Sequence, residues 1–117
     1  MSARLMDRAR EQYQSALDKN NAAYEPLNGM GLFVLIVDQD CDRAIGFLKQ
    51  AIELAPSRPE PRLNLALAYA KKGDFPPSRE YAATVLSLAN PGDRIYDQAE
   101  RLQGTIRIES RTLQTLK

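Results

Sequence analysis

Residues 44–75, AIGFLKQAIELAPSRPEPRLNLALAYAKKGDF, decide the fold. Nine of them fall at fixed offsets: Ala44, Leu48, Ala51 and Pro56, then Leu65, Ala66, Tyr69, Gly73 and Phe75. Apolar and small side chains three and four residues apart describe the buried faces of two amphipathic helices. The alanines let two backbones approach, while Leu, Tyr and Phe fill the space between them. Pro56 closes the first helix, and Gly73 can take the left-handed backbone that ends the second.

The same spacing extends in both directions. Ala9, Tyr13 and Ala16 repeat the offsets of Ala44, Leu48 and Ala51; with Leu5, Met6 and Leu17 they predict a helix over 3–19, stopped by Asn20 and Asn21. Pro26 suits the first turn of a helix starting near Tyr24, where a missing N–H costs nothing. In that helix Leu27, Met30, Gly31 and Val34 reproduce the spacing of Arg62, Leu65, Ala66 and Tyr69, with Gly31 at the slot where a neighbouring helix comes closest. Leu32 to Val37 taken alone would also suit a short buried strand, but the register selects helix. Downstream, Pro76 and Pro77 open a helix that carries Ser78, Ala82 and Val85 at the offsets of Ala44, Leu48 and Ala51, ending at Asn90-Pro91-Gly92. Ile95, Ala99, Leu102, Ile106, Leu113 and Leu116 then predict a final helix, with Gly104 the point of expected bend or break.

This pattern resembles the tetratricopeptide repeat, in which a small, a bulky and a small residue and a proline close one helix pair before a Leu-small-x-x-Tyr helix opens the next. The resemblance implies an all-α fold, a right-handed α-solenoid of antiparallel helix pairs with a C-terminal capping helix. It lays out a single domain over 1–117: a lone helix 3–19, repeats 24–55 and 60–89, and a capping helix 93–117. The lone helix matches the second half of a repeat, as expected of a chain trimmed from a longer protein, such as a fragment of a larger assembly factor. The cap satisfies the apolar side that the last pair would otherwise expose.

Composition narrows the chemistry. Sixteen basic against fifteen acidic residues leave a net charge of +1, too small to draw in nucleic acid or an anionic membrane. Histidine is absent and Cys41 is the lone cysteine, so zinc sites, histidine acid–base catalysis and an internal disulfide lack their usual parts. The longest apolar run, Leu32 to Val37, cannot span a bilayer. No secretory leader is legible after Met1, and a cytoplasmic location is the expectation.

Two local motifs invite chemistry. Asp38-Gln39-Asp40-Cys41-Asp42 begins like a calcium loop, but Arg43 stands where the sharp bend needs glycine and Lys49 where a closing glutamate belongs. Helix capping by Asp40 or Asp42 near Arg43 is the better account. Gly29-Met30-Gly31 lacks the third glycine and preceding strand of a dinucleotide fingerprint, and it suits close packing. No catalytic residue, cofactor or metal ligand is assigned, and the chain is expected not to be an enzyme.

What remains is a surface. In the family it resembles, the first helices of successive pairs line a concave groove that holds a partner's peptide or helix. Carried over by register, the groove comprises Glu25, Asn28, Leu32 and Leu35 from one helix and Glu60, Leu63, Asn64, Leu67, Ala70 and Lys71 from the next. Leu63 and Leu67 occupy slots where a carboxylate clamp would want Lys and Asn, so the expected partner is an apolar peptide or an amphipathic helix of a protein. Self-association into a homodimer is the competing occupant. A nucleic-acid-binding repeat of the pentatricopeptide kind is the other alternative, carried by eleven arginines to five lysines and opposed by the apolar register.

Overall fold

The computed structural model describes residues 3–19 and 23–116. The predicted stop at Asn20 and Asn21 lies outside the described residues, as do the side chains of Ala16, Leu17, Leu113 and Leu116. Among the described residues six α-helices follow in order: α1 Ala3–Lys19, α2 Tyr24–Phe33, α3 Cys41–Leu54, α4 Pro59–Lys72, α5 Phe75–Leu88 and α6 Arg94–Leu116. Each packs on its neighbour in sequence, and α2–α4 and α4–α6 also touch. Thus α2, α4 and α6 form one layer, with α1, α3 and α5 behind it. A radius of gyration of 15.0 Å, against about 13 Å for a compact chain of this length, reflects stacking along one direction.

Short-range chemistry sets the helix ends. Asp40 caps α3 by accepting a hydrogen bond from the Arg43 N–H at 3.1 Å, so that helix begins at Cys41, two residues before Arg43. Pro59 and Pro61 open α4 with Glu60 in its first turn, and Lys71 and Lys72 meet the negative end of its dipole. Gly73, at φ 84°, ends α4 while the Asp74 N–H donates to the Tyr69 carbonyl at 2.9 Å.

The repeated positions form the core. Ala44, Leu48, Ala51, Leu65, Ala66, Ala82 and Val85 are fully shielded from solvent. At Gly31 a Cβ would sit 2.6 Å from Leu48 Cγ and 3.4 Å from the Ala44 carbonyl oxygen, so α2 and α3 touch where only hydrogen fits. In the next pair the bulky slot holds Ala82, and the space is used differently: Ser78 is buried and donates its hydroxyl to the Ala66 carbonyl at 2.6 Å. Tyr69 and Tyr81 stack on each other, with ring centres 5.9 Å apart.

Two features depart from expectation. Helix α2 does not end as α4 does but widens into a π-helical turn over Val34–Asp38. Val34 to Ala44 is one residue longer than its counterpart Tyr69 to Ser78, and the wider turn absorbs the extra residue without displacing α3. Gln39 then takes the left-handed conformation, φ 54°, that Gly73 takes in α4. The second departure is Gly104, which does not break α6. Leu102 and Ile106 straddle it and hold the helix against the stack.

Helix α1 docks on α2 largely through aromatic and ionic contacts. The Tyr13 ring lies over Gly29, where a Cβ would collide with it, and 5.9 Å from the Phe33 ring. Arg10 crosses the same Phe33 ring at 5.0 Å and donates two hydrogen bonds to the Asp38 carboxylate, at 2.7 and 2.9 Å.

Candidate functional site: the groove between α2, α4 and α6

Alternation of pairs brings α2, α4 and α6 to one side, and the space between them is an open groove of about 600 Å³. Five apolar side chains line it: Leu32 from α2, Leu63 and Leu67 from α4, Ile95 and Leu102 from α6. Helical spacing explains the set. Asn28 and Leu32 are four apart, as are Glu60 and Asn64 or Leu63 and Leu67, so each helix offers one stripe.

Polar and charged side chains share this lining. Asn64 is nearly buried and donates from Nδ2 to Asn28 Oδ1 at 2.9 Å, which ties α4 to α2 beneath the groove. Glu60 and Arg101 bring opposite charges to the lining, and among the described residues neither enters an ion pair. Gln98 and Thr105 complete the α6 wall.

The titratable groups whose pKa values move lie elsewhere. The Arg10 guanidinium holds the Asp38 carboxyl below its usual range through the paired hydrogen bonds, and Arg10 is raised in turn. Tyr69 raises Lys49 through a side-chain hydrogen bond, and Asp42 raises Lys72, whose ammonium lies 2.7 Å away. None of these lines the groove. Among the described residues no group of three or more His, Cys, Asp or Glu is placed to hold a metal ion, and no helix is long and apolar enough to cross a membrane.

Six of the ten residues anticipated for the groove line it together: Asn28, Leu32, Glu60, Leu63, Asn64 and Leu67. The other four do not. Leu35 is 1% exposed and belongs to the core between α2 and α3, because the π turn that starts at Val34 carries it off the face shared by Asn28 and Leu32. Lys71 and Leu35 line a smaller cavity of about 270 Å³ with Gln39 and Cys41. Glu25 is exposed at the start of α2 and Ala70 is half-buried near the end of α4, both outside the groove lining. Leu63 lines the groove yet is only 7% exposed, since it also packs on Val85 and Ala99.

The α6 wall of the groove is the part the register did not supply. Ile95, Gln98, Arg101, Leu102 and Thr105 share one helix face, and that spacing was legible; what was missing was that a capping helix takes the place of a third first-helix and leaves a side facing inward.

The model of a family described as tetratricopeptide repeat matches residues 35–101, more than half of the chain. No curated protein matches the chain.

Proposed function

The chain belongs to the tetratricopeptide repeat family, whose repeats generally mediate protein–protein interaction, and from that premise we propose that this chain is a non-enzymatic interaction module. Its site is the groove between α2, α4 and α6, and its partner is a protein segment with apolar anchors, an amphipathic helix or an apolar peptide. The observation that carries this reading is the lining itself: five Leu and Ile side chains around an open volume of about 600 Å³ on one face. Apolar side chains clustered on one face among polar ones are the arrangement that docks a protein segment. Two Asn side chains spend a hydrogen bond on each other at its base, which holds the walls in register before a partner arrives.

A nucleic-acid ligand would want cations along the groove. Arg101 is the cation in this lining, offset by Glu60, so protein is the favoured class.

The test uses Leu32→Glu and Leu67→Glu, both at half-buried groove positions. Leu63 is the wrong probe, because its packing on Val85 and Ala99 would confuse lost binding with lost folding. A protein captured from the source cell by the wild-type chain, and released by either variant at unchanged helicity, supports the groove as the site. Capture that survives both substitutions excludes it and moves the site to the opposite layer. Retention of oligonucleotides at low salt would instead favour the nucleic-acid alternative.

A further inference from the structure

The groove carries two charges that its own walls leave unanswered. Glu60 and Arg101 are both exposed in the lining, and among the described residues neither the carboxylate nor the guanidinium makes a hydrogen bond or an ion pair. Other polar groups of the lining are already engaged. The Asn64 amide donates to Asn28, and the Thr105 hydroxyl donates to the Arg101 carbonyl at 3.1 Å. Charges that join neighbouring helices elsewhere in the stack are paired as well, Arg10 with Asp38 and Lys72 with Asp42.

The two groove charges stand at different depths along it. Short turns reverse the chain between α4 and α5 and again between α5 and α6, so α4 and α6 point the same way. Glu60 is the second residue of α4, at the end of the groove where both helices begin. Arg101 is the eighth residue of α6, about two turns into that helix. Leu63 and Leu67 follow Glu60 on α4, and Leu102 adjoins Arg101, so apolar side chains accompany both charges.

An occupant of a single charge sign would meet one of these groups favourably and the other unfavourably. A polybasic segment is repelled at Arg101, and an acidic one at Glu60. The segment that answers both carries a charge of each sign, together with apolar anchors for the Leu and Ile side chains.

We infer that the groove takes a protein segment of mixed charge: apolar anchors accompanied by a basic side chain that meets Glu60 and an acidic side chain that meets Arg101. This rests on the groove being the interaction site, and it names the chemistry of the segment that enters.

Selection of random peptides from a display library on the whole chain supplies the probe. The affinity of the tightest selected peptide, made free in solution, is then measured for each variant at unchanged helicity. The enriched peptides are expected to combine apolar anchors with at least one basic and one acidic residue. Glu60→Lys and Arg101→Glu, both at exposed positions, should each weaken the selected peptide roughly three- to tenfold. Replacing the peptide's basic residue by Glu should restore binding to Glu60→Lys and not to Arg101→Glu. Replacing its acidic residue by Lys should do the converse. Enriched peptides with charges of one sign or none overturn the inference, as does a selected peptide that is indifferent to both substitutions or is not rescued by its own reversal. Dimerisation of the chain alone that Leu67→Glu abolishes also overturns it, because a second copy then holds the groove. The groove reading fails separately: the selected peptide would then bind Leu32→Glu and Leu67→Glu as tightly as the wild type. A library that enriches no peptide counts against both.

Discussion

The two helix pairs, α2–α3 and α4–α5, occupy equivalent places in the stack and reach close contact by different means. In the first, Gly31 gives up its side chain so that Leu48 can fill the gap. In the second, Ala66 keeps a Cβ, the bulky slot shrinks to Ala82, and the Ser78 hydroxyl bonds to the Ala66 carbonyl. Their first helices also end differently, α2 through a π turn and a left-handed Gln39, α4 through Gly73. One repeat geometry thus accepts different side-chain volumes at facing positions, four side-chain carbons in Gly31 with Leu48 against two in Ala66 with Ala82. The second pair follows the general rules of helix termination, whereas the first pair departs from them where it borders the α1 contact.

The sharpest way to break this comparison is at Gly31. Gly31→Ala should destabilise the chain by about 1–3 kcal/mol through overpacking against Leu48, even though alanine is the better helix former. In a Leu48→Ala background the clash is gone, and the same substitution should become stabilising by about 1 kcal/mol, the ordinary helix preference. Denaturant melts of the four proteins form a double-mutant cycle. A Gly31→Ala effect that is the same in both backgrounds would show that the contact between Gly31 and Leu48 does not govern it.

A smaller effect is expected at the helix ends. Gln39 pays for a left-handed backbone that costs most residues about 1–2 kcal/mol, while Gly73 occupies the same conformation freely. Gln39→Gly should therefore stabilise the chain by up to about 1 kcal/mol, reduced by the freedom glycine adds to the unfolded state. Gly73→Ala should cost about 1 kcal/mol. Thermal melts with opposite signs at the two positions would sharpen the comparison, and equal signs would break it.

How legible each part was follows from the range of the interaction responsible. Small and bulky positions at fixed offsets revealed the helix pairs, because packing between adjacent helices is written directly into spacing. The six groove residues on α2 and α4 came from the same register. Leu35 was misplaced because one extra residue between Val34 and Ala44 could be absorbed either in the turn or within the helix, and periodicity does not distinguish a longer loop from a π turn. The α6 wall escaped because its apolar stripe was assigned wholly to capping, although Gln98, Arg101 and Thr105 lie on the neighbouring face. Arg10–Asp38, 28 residues apart, left no local trace at all.

That ion pair gives the smallest effect and the one tied most closely to the first repeat. Arg10 on α1 grips Asp38 at the end of the π turn, and its hydrogen bonds depress the Asp38 pKa. A depressed carboxylate contributes stability that is fully present above its unfolded value, about 3.9, and lost as pH falls through the lower folded value. The Lys72–Asp42 pair behaves oppositely for its lysine: the raised ammonium contributes below its unfolded value, about 10.4, and the contribution is lost as pH rises through the folded value. Amide exchange should therefore show α1 loosening from α2 in acid, and the end of α4 loosening from α3 in alkali. Asp38→Asn should remove the part of the acid response that comes from α1 docking, and salt should weaken the wild-type contact because both partners reach solvent. If the α1 amides in Asp38→Asn keep the wild-type acid dependence, the aromatic packing of Tyr13 on Phe33 and Gly29 holds α1 alone, and the π turn serves only to absorb its extra residue.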